Sequence, residues 1–359
     1  MTIKLARRQF LAGTAAAAAG AAFGGPARAA APLGVGFVYV GPVGDFGFSY
    51  QHDVARKAMQ EALGDAVKTS FVEKVAEGPD AERVIRQLAS GGNGLIYATS
   101  FGFMNSVERV AKQFPKVKFE QCTGYKTLAN MAEYNERFYE GRAICGAIAG
   151  HVSKKGVAGY VASIPIPEVV MGIDAFTLAA QKVNPNFKVK VIWTNSWFDP
   201  GKEADATKSL IDQGADIICQ HTDSPAPIQT AEERGVLAFG QASNMQKFGP
   251  KAQLTAIMDN WTPYYIKRTK EVIDGTWKTG SVWLGLKDGV VEMAPYGPGV
   301  TPEAREAADK VKAGIIDGSL NPFAGPIKDQ KGAVKVAAGA TIPDDELQKL
   351  DWYVEGVQA

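Results

Sequence analysis

The stretch "GVGFVYVGPVGDFGFSYQHDV", residues 34–54, decides the fold. Its first seven residues are apolar β-formers and glycine with no polar break. A strand of that kind is buried on both faces, which points to a parallel sheet covered by helices. Gly41, Pro42, Gly44 and Gly47 then force a tight loop. A helical pattern begins near Ser49, with Val54, Ala58, Met59 and Ala62 on one face. The loop also carries Asp45, Phe46, Phe48 and Tyr50. Rings on a loop built for turning have two readings: they plug the top of a core, or they hold a flat ligand.

Outward from this stretch the pattern alternates. "KTSFVEKV" (68–75), "GLIYATS" (94–100) and "KVKFEQC" (116–122) read as strands. "PDAERVIRQLAS" (79–90) and "MNSVERVAKQF" (104–114) read as helices between them. The rhythm restarts with the small-residue helix "GRAICGAIAGHV" (141–152). Strands at 156–163, 187–193, 215–220 and 236–241 then alternate with helical segments. The chain is therefore α/β, with two doubly wound, Rossmann-like lobes. "LTAIMDN" and "SVWLGLKDGVVEM" are too few for a third lobe and read as crossings between the two. The expected division is 33–130 plus 258–285 for one lobe and 131–257 plus 286–359 for the other. Hinges are expected near 125–132, 255–262 and 284–290.

Open α/β sheets bind ligands beyond the C-terminal ends of their strands. The segments just past each strand therefore give the contents of the cleft. Aromatics recur at three of these ends: Phe46/Phe48/Tyr50, Phe101/Phe103 and Trp197/Phe198. Short polar groups recur at nearly all of them, including "SIPIPE", "HTDSP" and "QASNM". This is the profile of a mostly apolar pocket with a few hydrogen-bonding groups. Phe48 and Trp197 read as ligand-stacking rings, one from each lobe. Phe46 and Phe101 fit either the ligand or packing, and Trp261 and Trp193 fit core or hinge packing. Asp199 has the place of a helix N-cap before "PGKEAD", and Lys287-Asp288 that of an exposed turn.

The first residues are set apart from the fold. Lys4, Arg7 and Arg8 precede a small apolar run, then Pro26 and Ala27-Arg28-Ala29, the layout of a cleaved export signal over residues 1–29. The pair in "ARRQFLAG" resembles a twin-arginine signal. About 330 residues remain, enough for two lobes. Lys+Arg (39) and Asp+Glu (38) nearly cancel, so nucleic acid and anionic membrane surfaces are not expected partners. The cysteines Cys122, Cys145 and Cys219 sit in apolar contexts and read as buried thiols, with none placed to carry a lipid anchor. The expected product is a soluble, periplasmic monomer.

No nucleophile elbow, zinc-protease motif, paired cysteines or phosphate loop is present, so neither an enzyme nor a metal or cofactor site is expected. His52 and His151 lie in helical segments and read as structural; His221 ends a strand and fits either role. A purine deaminase would need a His/Cys zinc cluster with a catalytic Glu, and that spacing is missing.

"GPVGDFGFSYQHDVARKAM", "IYATSFGFM", "VLAFGQASNM" and "WLGLKDGVVEM", in this order and spacing, resemble the basic-membrane-protein family of ABC-transporter substrate-binding proteins. The resemblance runs from about Leu33 to the C-terminus. It implies the type I periplasmic-binding fold, a purine-type ligand and an ABC permease as partner. By the same resemblance Asp45 and Phe48 keep their loop positions, and Ser49 and Tyr50 replace the family's Asn-Gln. Ser100 and Phe101 fall at the ligand, and Trp197 or Phe198 gives the second stacking ring. Ser243 falls in the ribose-binding motif, read as "GQASN" with its carboxylates gone, and Lys287 keeps a family lysine. Without buried acceptors for sugar hydroxyls, and with bulk at Tyr50 and Trp261, the expected ligand is a free, adenine-like base. Glu168 and Asp223 are the expected acceptors for its exocyclic amine.

Overall fold

The computed structural model describes residues 31–44 and 46–359. The export signal expected over residues 1–29, and Asp45, lie outside them. In chain order the elements of the first lobe begin β1 Leu33–Tyr39, α1 Phe48–Leu63, β2 Val67–Val72, α2 Pro79–Ser90, β3 Leu95–Thr99, α3 Met104–Gln113, β4 Lys118–Cys122 and β5 Met131–Glu136. The chain then crosses into α4 Phe138–Val152, β6 Val157–Ala162, α5 Pro167–Val183, β7 Lys188–Trp193, α6 Pro200–Asp212, β8 Ile217–His221, α7 Ala226–Arg234, β9 Leu237–Gly240 and β10 Gln253–Asp259. It returns to the first lobe with α8 Thr262–Ile273 and β11 Ser281–Leu284. It ends on the second with β12 Val291–Met293, α9 Pro302–Asp317, β13 Ile327–Lys328, β14 Val334–Val336, α10 Asp344–Leu347 and β15 Val357–Gln358.

The first sheet has the order β11-β5-β4-β3-β1-β2 and the second β12-β10-β9-β8-β6-β7-β15. All pairings in both are parallel except β10 with β12. Strand order reverses at β1 in one sheet and at β6 in the other, the two switch points where ligand crevices open. The apolar run of β1 explains its place: Val35, Phe37 and Tyr39 pack on one face of the sheet and Val38 on the other.

Two sequence expectations shift. Residues 131–136, expected in the second lobe, pair with β4 from Phe119↔Met131 to Cys122↔Tyr134. By sheet membership the first crossing therefore falls at Arg137, not within 125–132. Parallel neighbours normally need a crossover of a dozen or more residues, usually helical. Here residues 123–130 return without a helix, so the alternation that signals a strand is missing. Likewise "LTAIMDN" falls within a strand of the second sheet parallel to β9, and its crossing comes at Asn260-Trp261.

Beyond α9 the C-terminal segment stays on the second lobe. Val357 pairs with Val189 at the sheet edge, and buried Asp174 accepts from Val354 N at 3.0 Å. Arg137 at the first crossing bonds Asp344 with both guanidinium arms. All three cysteines are buried and free. No helix among the described residues is long and apolar enough to cross a membrane.

Candidate functional site

The strand ends of the two sheets face one cavity. Val40, Phe48, Ser100, Phe101 and Thr123 line it from the first lobe; Glu168, Trp197, His221, Asp223 and Gln241 line it from the second. A second chamber continues from it. Phe101, Thr123 and Glu168 belong to both walls, and Gly124, Tyr125, Asn135, Ile166, Pro167, Met171 and Gln348 complete the second. Each chamber encloses about 370 Å³ of space not filled by protein, a figure that includes its opening to solvent.

Three hydrogen bonds cross between the lobes at the rim. Gly47 N donates to Ser243 Oγ at 2.8 Å and Phe48 N to Asp223 Oδ1 at 3.3 Å. Trp197 Nε1 donates to Glu77 Oε1 at 3.1 Å. Glu77 also accepts from Ser100 Oγ (2.5 Å) and Gly102 N (3.2 Å), so one carboxylate organises both strand-end loops. Gly47 is required where it stands. Its φ is 84°, and a Cβ there would meet the Asp223 carbonyl oxygen at 2.3 Å.

The polar groups differ in what they offer. Asp223 is buried, and its carboxyl is pushed up to about 7 by desolvation, against the pull of the Phe48 N–H. His221 Nε2 lies 3.4 Å from Glu168 Oε1, and burial lowers the imidazole's pKa, so the ring is neutral. Arg142, fully buried behind the site, donates to Gln220 O and to Gln241 Oε1. Arginine has only donors, so Gln241 must turn its oxygen to it and keep its amide NH2 free to donate. The cavity therefore combines carboxylate acceptors with an amide donor between aromatic rings. Among its lining residues there is no lysine or arginine.

Of the residues expected from sequence, Phe48, Ser100, Phe101, Glu168, Trp197 and Asp223 line this cavity. Phe46, Tyr50, Phe198, Ser243, Trp261 and Lys287 do not. Phe46 stacks on Tyr50 (4.6 Å, 10°), meets Phe248 of the opposite lobe edge-on at 5.4 Å, and lies under Lys247 Nζ. Ser243 is used by Gly47 N. Trp261 is fully buried between His52 and Tyr134, as a core residue. Lys287 is exposed in the turn where Asp288 Oδ2 accepts from Gly285 N. The sugar space is thus not narrowed by Tyr50 or Trp261, since neither reaches the cavity wall. Asp199 does cap α6, accepting from Lys202 N at 3.1 Å. His52 is structural: its Nδ1 pairs with Tyr265 Oη at 2.6 Å, and burial lowers its pKa to about 3.

Sequence reasoning passed over Thr123, Gln241 and Glu77. Gln241 stands in the strand-end segment "QASNM" without being singled out there, and Thr123 directly follows β4. Glu77 lies beyond β2, outside the strand-end segments from which the cleft is read. Glu136 and Asp259 were missed as well. They end β5 and β10, and burial holds both carboxyls well above the usual range; the Asp259 charge adds to the rise at Glu136, while Asp259 is pulled back by its hydrogen bond with Glu136 and pushed up by Asp223 and Glu168.

Two switch-point sheets, three crossings and a cavity between the lobes define a type I periplasmic-binding architecture. A solved ABC-transporter solute-binding protein of Aeropyrum pernix K1 has the same fold, at TM-score 0.72 and 20% identity over 82% of this chain and 94% of that one. The chain belongs to the PnrA-like family of ABC transporter substrate-binding proteins, whose model matches residues 33–319. It is therefore a substrate-binding protein and not an enzyme. A purine-binding protein of Brucella abortus is 58% identical over 342 residues, 95% of this chain and 97% of that protein. A Haloferax volcanii protein named as a putative ABC transporter glucose-binding protein is 36% identical over 336 residues, 93% of this chain and 82% of that one.

Proposed function

We infer that this protein captures a purine, an adenine-like base, and delivers it to an ABC permease after export to the periplasm. One observation carries the reading: Phe48 and Trp197, from opposite lobes, line one cavity that also holds the acceptors Asp223 and Glu168 and the donor Gln241. A flat ring between two aromatic faces is held by stacking and dispersion. Its exocyclic amine donates to a carboxylate, and a ring nitrogen accepts from the Gln241 amide. The purine named for the Brucella relative supports the same ligand class. The absence of a lining lysine or arginine disfavours nucleotides, because a phosphate would face Glu168 and Asp223 with no counter-charge.

Capture works by closure. The ligand touches both lobes, so it stabilises their approach by its differential affinity for the closed form. The crossings at Arg137, at Asn260-Trp261 and between β11 and β12 serve as hinges, and the closed shape is what the permease reads. The test is to denature the purified mature protein and identify the released small molecule by mass spectrometry, then titrate adenine, adenosine and glucose by calorimetry. Adenine is expected to bind most tightly. Equal binding of adenosine would remove the free-base reading, and glucose binding without adenine binding would remove the purine.

A further inference from the structure

The second chamber has no role in holding a bare purine. Glu168 stands on the wall it shares with the first chamber, at the place proposed for the exocyclic amine. Whatever that nitrogen carries beyond its donated hydrogen points onward from Glu168. The lining met there includes the apolar side chains of Ile166, Pro167 and Met171, and the ring of Tyr125. Polar groups complete the lining. Asn135 Oδ1 accepts from Glu136 N at 2.8 Å, which leaves its amide NH2 to donate. Gln348, from the C-terminal segment, also lines the chamber, and both it and Tyr125 reach solvent.

Gln348 comes from outside residues 33–319, the part matched to the family. Its segment is fixed by the Val357–Val189 pairing, by Asp174 on Val354 N and by Asp344 on Arg137. The segment beyond the residues matched to the family model therefore supplies part of the chamber's lining.

We propose that the second chamber is a subsite for a short alkyl or hydroxyalkyl chain on the exocyclic nitrogen of the bound purine base. This rests on the purine reading of the first chamber. A secondary amine keeps one N–H for Glu168 while its carbon chain lies along Ile166 and Met171. A terminal hydroxyl, where present, meets the Asn135 and Gln348 amides. A substituent on a sugar-bearing ring nitrogen gains nothing from this geometry, because it does not leave from Glu168.

The experiment is calorimetric titration of the mature protein with adenine, N6-methyladenine, N6-isopentenyladenine and adenosine, repeated on Gln348→Trp. Each added carbon buried in an apolar slot is worth several-fold in affinity. N6-isopentenyladenine is therefore expected to bind about tenfold more tightly than adenine. Gln348→Trp, at an exposed position, should weaken the isopentenyl ligand about tenfold more than it weakens adenine. N6-alkylated bases binding about 100-fold more weakly than adenine would overturn the subsite while leaving the purine reading in place. An equal effect of Gln348→Trp on both ligands would overturn it too. Failure of adenine itself to bind would instead strike the first chamber's reading, and this inference with it.

Discussion

Trp197→Phe keeps a ring on the cavity wall and removes one hydrogen bond, from the indole Nε1 to Glu77 Oε1 at 3.1 Å. Trp197 lies beyond β7 in the second lobe and Glu77 precedes α2 in the first, so this bond exists only when the lobes approach. A hydrogen bond to a charged acceptor contributes about 1.5–3 kcal/mol when desolvated. Glu77 is exposed, and solvent screening leaves about 1 kcal/mol of that. All of it belongs to the closed form, so ligand affinity should fall about fivefold. The smaller phenyl ring also loses stacking area, which a single mutant cannot separate. A double-mutant cycle with Glu77→Ala does separate it. Glu77→Ala alone should cost more, because Ser100 Oγ and Gly102 N lose their acceptor as well. In the Glu77→Ala background, Trp197→Phe should retain only its stacking loss, giving a coupling of about 1 kcal/mol by calorimetry. Strictly additive effects would show that the contact contributes nothing to closure.

Phe48→Ala and Trp197→Ala should each weaken purine binding roughly 10- to 100-fold, the range of a lost base–aromatic stack. Their melting temperatures should stay near wild type, since both rings are only half-buried; wild-type affinity in either variant would end that residue's stacking role. Gly47→Ala should leave the open protein folded but block ligand-induced compaction in small-angle scattering, because its Cβ would strike the Asp223 carbonyl at 2.3 Å. Ligand-induced compaction equal to wild type would refute this. Burial lifts the Asp223 carboxyl to about 7, so the folded state holds a proton that the unfolded chain releases above about pH 4. Its contribution to stability therefore falls as pH rises through that window, by up to about 4 kcal/mol. Asp223→Asn should raise the melting temperature more at pH 8 than at pH 5, and an equal gain at both would contradict the assignment.

The fold was legible because its strands are continuous apolar runs and its helices are amphipathic, so local pattern and global architecture agree. Reading failed where that agreement lapsed. The strand "MAEYNE" (131–136) has alternating rather than continuous apolar character and comes after its parallel neighbour without a helix between them. For the site, tracing the chain past each strand brought out the rings Phe48, Phe101 and Trp197, because a parallel sheet sends those ends to one edge, while Ser100 and Asp223 came with the family resemblance. Lys287 was carried over by motif alone, and the turn that holds it faces solvent. Glu136 and Asp259 went unnoticed because nothing in a sequence marks the meeting of two crossings.

The loop at residues 41–50 shows the physical limit of such reading. Phe46, Phe48 and Tyr50 alternate as three equivalent rings, yet only Phe48 lines the cavity. Positive φ at Phe46 (65°) and Gly47 (84°) turns the chain so that Phe46 swings away onto Phe248 and Lys247, with Tyr50 stacked behind it. An aromatic residue in the left-handed region is costly, and beside the Tyr50 stack the compensating contacts here come from the opposite lobe. Gly47 N and Phe48 N bond that lobe too. The part of the offset at Phe46 that Phe248 and Lys247 supply thus exists only when the lobes meet. One loop therefore carries both the ring that faces the cavity and the contacts that hold the lobes together, so filling the cavity and closing it act on the same short segment.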